Sequence, residues 1–337
     1  MTRYLTKRAL LVIPQLVVVA VLTFVLIRLL PANPVEGIVG PEATKATYDA
    51  ERARLGLSSP IIDQLGHFLN RAFHGDLGTS WQSNTPVRTE IATHLPITLQ
   101  LIVLALVVAL IVGIPLGYLL STSTGRRRRK HPILRIYSLL AGSQPDFWWG
   151  LVFIYVFFFI VHIFPAPLGV TSPTTVAPTP VTGFILLDSL LRGQFSVFWD
   201  ALQHFALPAL TLAFVITGPI IRITAQGMRS EASSEYLLYA RAAGLPERRV
   251  GWYVARNGLA PVLTLTGVLF GVLLGGAVLV ETVFSLDGLG VYTLQSVLTL
   301  NYPSIEGSVV VMTAIALLVY IAMDALYALL DPRVRTR

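Results

Sequence analysis

Six long apolar stretches decide what this chain can become. They lie at residues 9–30, 96–120, 147–164, 205–223, 259–280 and 308–330. A hydrocarbon core about 30 Å thick takes about 20 helical residues to cross. In lipid, only helices or closed barrels satisfy every backbone polar group. These runs are continuous rather than alternating in polarity, so they predict helices: an all-α, polytopic membrane protein with six transmembrane spans. The balance of the sequence agrees, with 54% hydrophobic and 13% charged residues, against about a quarter charged in soluble domains. The first run is too long, and lacks the small-residue cleavage site, for a cleavable signal.

An even number of spans puts both termini on one side, and the positive-inside rule chooses it. That side carries Arg3, Lys7, Arg8, the run from Arg126 to Lys130, Arg135, Arg222, Arg229, Arg241, Arg248, Arg249, Arg256, Arg333, Arg335 and Arg337, which is 18 of the 25 basic residues. The termini and the Arg-rich loop at 227–258 are therefore expected in the cytoplasm of a bacterial-type inner membrane. The basic run reads as a topology anchor that also meets anionic membrane lipid, not as a nucleic-acid site.

Residues 31–95 form a long external insert. Ile62, Leu65, Phe68, Leu69, Ala72 and Phe73 recur at helical spacing and predict an amphipathic helix. Gly75-Asp76-Leu77-Gly78 ends it with turn chemistry. The insert reads either as a packed cap or as a docking surface or gate for an external substrate carrier. A second external segment, 165–203, opens with an irregular Pro/Ser/Thr-rich run and offers a short interfacial helix at 183–191.

Several chemistries are excluded. There is no cysteine, hence no disulfide and no thiolate site. Lys7, Lys45 and Lys130 are the only lysines and none follows a glycine, so no phosphate-binding P-loop exists. No HExxH pair or GxSxG elbow is present. The chain shows no catalytic residues and no metal ligand set, so energy for uphill transport must come from another chain.

The segment from Ser234 to Thr264 is a polar, Arg-rich loop between two apolar spans. Tyr236, Leu237, Ala240, Ala243 and Gly244 suit one face of a short helix. Ala240, Ala242 and Ala243 permit close approach of a partner backbone. Gly244 allows a sharp exit, and Pro246 begins the next helix, whose stripe is Val250, Tyr253 and Val254. On these grounds alone the segment is either a mechanical link seated in a partner's groove or a hairpin lying on lipid headgroups.

Tyr236, Ala240, Arg241, Ala242, Gly244, Leu245, Val250, Arg256, Asn257, Pro261 and Val262 fall in a pattern that resembles the cytoplasmic coupling loop of dipeptide and oligopeptide ABC importer permeases, B-type subunit. The general permease loop pattern fits less well, because Leu238 and Tyr239 stand where Glu and Ala are usual. Further resemblances run in order along the chain. They include Ile13-Pro14, Asn33-Pro34, Gly75 to Ser80, Gly113 to Gly117, Pro145 with Phe147-Trp148, Leu207 to Leu212, Glu281 with Phe284 and Gly288 to Gly290, and Asp331 to Arg333. Asn301 departs from the Asp usual before Tyr302-Pro303.

The resemblance implies a type I importer permease (MetI-like) fold, with residues 1–95 as first helix plus insert, 96–330 as core and 331–337 as tail. It implies half of a translocation pathway for di- or oligopeptides. The implied partners are a second permease subunit in a heterodimer, two ATPase subunits or domains, and an extracytoplasmic substrate-binding protein. No cofactor is expected on this chain, with ATP and Mg held by the ATPases.

Charges at a helix centre cost about 2.5–3.5 kcal/mol on insertion scales, so intramembrane ionisable residues are functional candidates. Three are picked out. Asp146 follows Pro145 at a helix break and either caps the next half-helix or faces the pathway. Glu281 closes the fifth span and either meets substrate or an external gate or sits in interfacial water. Asp324, one turn from Tyr320 and Tyr327, either pairs within the bundle or meets substrate.

Overall fold

The computed structural model describes residues 2–31, 33–40, 42–122 and 132–330. The basic run from Arg126 to Lys130, the tail arginines Arg333, Arg335 and Arg337, and the side chains of Arg3, Lys7 and Arg8 lie outside the described residues. The described residues are mostly helical. In order they form α1 (Thr2–Arg28), α2 (Pro34–Val39), α3 (Lys45–Arg54), α4 (Ile61–Phe73), α5 (Val87–Thr122), α6 (Pro132–Leu140) and α7 (Asp146–Phe153). A π-helical stretch (Ile154–Ile160) continues α7, and α8 (Ile185–Leu191), α9 (Phe195–Ala232), α10 (Glu235–Ala242), α11 (Glu247–Gly258), α12 (Ala260–Val283), α13 (Leu289–Leu298) and α14 (Tyr302–Leu330) follow.

Five helical segments are long and apolar enough to cross a bilayer: Leu10–Arg28, Val87–Thr122, Phe195–Ala232, Glu247–Val283 and Tyr302–Tyr327. The remaining expected span is the shorter Asp146–Ile160, preceded by α6 across a break. Two spans greatly exceed their apolar runs. The 36 residues of α5 and 38 of α9 correspond to about 54–57 Å of helix, so both stand well out of a 30 Å core. They keep prolines inside (Pro96, Pro115, Pro208, Pro219), which neighbouring helices in a bundle tolerate.

The core is the α5–α9 pair, closed by α12. Leu101, Ile102, Ala105, Ala109, Phe205, Leu212, Ile216 and Ile220 are buried in it, with Leu273, Leu274 and Ala277 from α12. The Gly113 and Gly117 pair explains its closeness. A Cβ on Gly117 would lie 2.5 Å from Thr224 Cβ and 2.9 Å from the Ile221 carbonyl oxygen. With no hydrophobic drive between helices in lipid, small residues at such crossings set the packing.

The insert folds over one end of α1 and α14. Phe68 of α4 is buried against Ala20 and Phe24, with Leu65, Leu69 and Ala72 beside it. Two members of the predicted stripe are not in that contact: Ile62 is 81% and Phe73 66% exposed. They sit in the first and last turns of the 13-residue helix, where α1 no longer covers the face. Gly75 and Gly78 do adopt the positive φ that the turn was expected to need. Asn301 shows why an amide serves where an Asp is usual. Its Oδ1 accepts from Trp81 N at 3.1 Å and its Nδ2 donates to Ser80 Oγ at 2.9 Å, a donor that a carboxylate lacks.

The short helix expected at 183–191 appears as α8. Its Asp188 is buried and ties the irregular run to the helix. Asp188 accepts from Val181 N, Thr182 N, Gly183 N and Thr182 Oγ1 at 2.7–3.1 Å. Dehydration pushes this carboxyl up, but the hydrogen bonds from Thr182, Val181 and Gly183 together prevail and hold it below the usual carboxylate range.

Candidate functional site

At the end of the bundle opposite the insert, α9, α10, α11 and α12 form a projecting helical hairpin. Glu235 lies in the first turn of α10 and Arg241 in the last, the charge order that the helix dipole favours. The turn after α10 is a Schellman motif: Leu245 N bonds to Ala240 O at 3.1 Å and Gly244 N to Arg241 O at 3.0 Å. Gly244 has φ +81°, and no atom lies within 4 Å of where its Cβ would be. The glycine is thus required by the backbone angle, not by crowding. Pro246 then serves as N-cap of α11.

The hairpin is pinned to the bundle. Leu237 and Val250 are fully buried, one from each helix. Glu231, near the end of α9, accepts from the Tyr236 hydroxyl and from Asn257 Nδ2 at 3.0 Å. Asn257 Nδ2 also donates to the Tyr236 oxygen at 2.8 Å. Burial, and next the Glu231 carboxylate that accepts the phenol proton, push the Tyr236 hydroxyl above its ordinary pKa. Arg241 Nε lies 3.3 Å from Glu247 Oε1, joining the two helices across the turn. Backbones meet where α9 crosses α11: a Cβ on Gly258 would be 2.9 Å from Met228 Cα.

Of the expected loop residues, the structure brings Tyr236 and Asn257 together and places Ala240, Arg241, Ala242 and Gly244 around one turn. Leu245 is partly buried behind that turn, and Arg256 is exposed on α11. Glu231, Gly227 and Gly258 were missed. The only signal for Glu231 was an acid five residues before Tyr236, and a glycine in an apolar helix does not say what it meets. The tip is apolar and uncovered: Leu238, Tyr239, Trp252 and Tyr253 are exposed, Tyr239 at 77% and Trp252 at 65%. It offers no nucleophile or acid–base pair. What it offers is an uncovered surface of aromatic and small residues with arginines at its rim.

The three intramembrane carboxylates lie apart. Asp146 opens α7, its Oδ1 accepting from Phe147 N at 2.9 Å while Oδ2 faces Gly276 of α12. Glu281 is 0% exposed, away from interfacial water. Its Oε1 accepts from Thr98 Oγ1 at 2.5 Å and its Oε2 from Val291 N at 3.0 Å. Thr98 Oγ1 in turn accepts from Leu289 N at 2.8 Å. Glu281 therefore fastens the start of α13 to α5 and α12. Gly288 and Gly290 make room, since a Cβ on either would come within 2.7 Å of the carboxylate. Asp324 is half-buried in α14 and lines a cavity of about 580 Å³ with Gln15, Thr264 and Tyr320. A fourth carboxylate was missed. Glu306 is buried and pairs with Arg28 Nη1 at 2.6 Å, and that guanidinium lies 3.4 Å from the Phe24 ring centroid. The last apolar run starts at residue 308, whereas α14 begins at Tyr302; a polar first turn hides the helix start from the hydropathy pattern.

Comparison with known proteins matches residues 113–336 to the family described as binding-protein-dependent transport system inner membrane component. Residues 1–102 match the family of the N-terminal part of such components. The chain belongs to this family of transport-system membrane components. Among its relatives is the probable D,D-dipeptide transport system permease protein DdpB of Escherichia coli strain K12, 40% identical over 94% of this chain and 92% of that protein. The di/tripeptide transport system permease protein DppB of Pseudomonas aeruginosa is 35% identical over 99% of both chains. The dipeptide transport system permease protein DppB of Escherichia coli strain K12 is 33% identical over 99% of both.

Proposed function

We propose that this chain forms half of the translocation pathway of an ATP-driven importer of di- or oligopeptides. A second permease subunit completes the pathway. An extracytoplasmic binding protein delivers the peptide, and two ATPase subunits or domains, holding ATP and Mg, seat the α10–α11 hairpin. The hairpin then lies on the cytoplasmic side, with both termini, and the insert faces outward; the basic residues of the hairpin side support this orientation. The carrying observation is the hairpin itself. It is pinned to α9 through Glu231 and runs directly into α12, while its aromatic tip stays uncovered.

Mechanically, α11 and α12 follow one another with only Leu259 between them, so displacement of the tip tilts a membrane-crossing rod. At its other end Glu281 carries α13 along. Closure of the ATPases opens the pathway outward to the binding protein, and reset opens it inward. The peptide assignment is supported by relatives named as dipeptide or di/tripeptide permeases that match nearly the whole chain.

The test is reconstitution of the assembled complex with its binding protein in liposomes. Labelled dipeptide should accumulate only with ATP and only when the ATPase subunits are present. Accumulation of nickel instead of peptide would overturn the substrate assignment. Peptide uptake by this chain alone on an ion gradient would overturn the machinery.

A further inference from the structure

The third span is not one helix. It is α6, then a non-helical break at residues 141–145, then α7 and its π-helical continuation. The break is deep. On its α6 side the Tyr137 hydroxyl donates to Phe214 O at 2.6 Å, and on its α7 side Trp149 packs on the Phe214 ring at 4.4 Å. Phe214 stands at the middle of α9 (Phe195–Ala232). Gly142 lies beside Val215, with φ +86°.

Gly142, Ser143, Gln144 and Pro145 are all exposed. Non-helical backbone does not face lipid at that depth; it is found where it is buried in protein or lines a water-filled cavity. An exposed break at mid-span therefore faces the second permease subunit or the aqueous pathway that the two subunits enclose. Discontinuous helices build transporter sites in this way. Asp146 closes the break. One carboxylate oxygen is used by Phe147 N. The other points across to Gly276, whose missing side chain leaves it open, and Gly275 beside it has nothing within 4 Å of a Cβ position. Among the described residues, no Lys, Arg or His forms an ion pair with Asp146. An intramembrane carboxylate with an open oxygen and no cation of its own is a site for one that arrives.

We propose that the Asp146 carboxylate receives the α-ammonium group of the peptide as it passes mid-membrane, with the Gly275–Gly276 gap giving the peptide backbone room. This rests on the peptide-importer reading and adds the chemical group recognised and the residue that recognises it.

The chain has no cysteine, so Ser143→Cys introduces its one thiol. In the assembled complex that thiol should react with a charged, water-soluble methanethiosulfonate, and dipeptide supplied during turnover should slow the reaction. Asp146→Asn keeps an oxygen for Phe147 N and removes only the charge. It should lower peptide uptake about tenfold, the loss of one charge-assisted hydrogen bond, while ATP hydrolysis still responds to loaded binding protein. Asp146→Glu should recover part of the uptake. An unreactive Ser143→Cys, or wild-type uptake by Asp146→Asn, overturns the proposal. If Asp146→Asn fails to co-purify with its partners, peptide protection of Ser143→Cys in the otherwise native complex decides: protection supports the site and its absence overturns it. A wild-type complex that takes up no peptide refutes the importer reading itself, a separate outcome.

Discussion

Glu281 is the residue whose role changes most between sequence and structure. As a lone acid at the end of an apolar run, it reads as a group waiting for substrate. In the fold both its oxygens are already engaged, by Thr98 and by the Val291 amide in the first turn of α13. No feature of a single chain announces this, because Thr98 is 183 residues away. The glycines at 288 and 290 were visible, but their reason, the space of a carboxylate, was not. Glu281→Ala strands the Thr98 hydroxyl and the Val291 amide. Buried unpaired groups cost about 1–3 kcal/mol each, so the purified complex should lose several degrees in Tm. Glu281→Gln, which keeps an acceptor, should lose less. Equal melting of Glu281→Ala and wild type would remove Glu281 as the fastening of α13.

At the scale of elements, the hydrophobic runs located the spans and the glycine after α10 located the turn, because both signals are local. Helix ends were less legible. The polar ends of α5 and α9 continue past the apolar runs, since the rest of the bundle, not lipid, supports them. The α8 region shows an irregular run held by one carboxylate. The Asp188 pKa is depressed in the fold, so its stabilisation is complete above the unfolded value of about 3.9. That stabilisation is lost as pH falls through the lower folded value. Hydrogen-exchange protection of the Val181, Thr182 and Gly183 amides, corrected for intrinsic rates, should therefore hold from neutrality to about pH 4 and collapse below. Protection unchanged across that fall would show that other contacts order the run.

On the proposed function, the whole molecule works as a lever joined to half a tunnel. The family resemblance was legible because its residues recur in order from Ile13 to Arg333, and the comparisons place the chain in that family over both of its parts. What the sequence could not show is how the lever is mounted: Glu231 under the hairpin, the Gly227–Gly258 crossing, and the continuous path from α11 to α12. The central claim is that motion at the Gly244 turn is what ATP hydrolysis transmits. Gly244 has open space but a positive φ, so a β-carbon there costs about 1–2 kcal/mol locally and alters the turn without reaching the core. The most direct measurement is ATP-driven peptide uptake by the assembled complex carrying Gly244→Leu, with membrane insertion checked in the same vesicles. The account predicts normal insertion and uptake at background; uptake at the wild-type rate would contradict it.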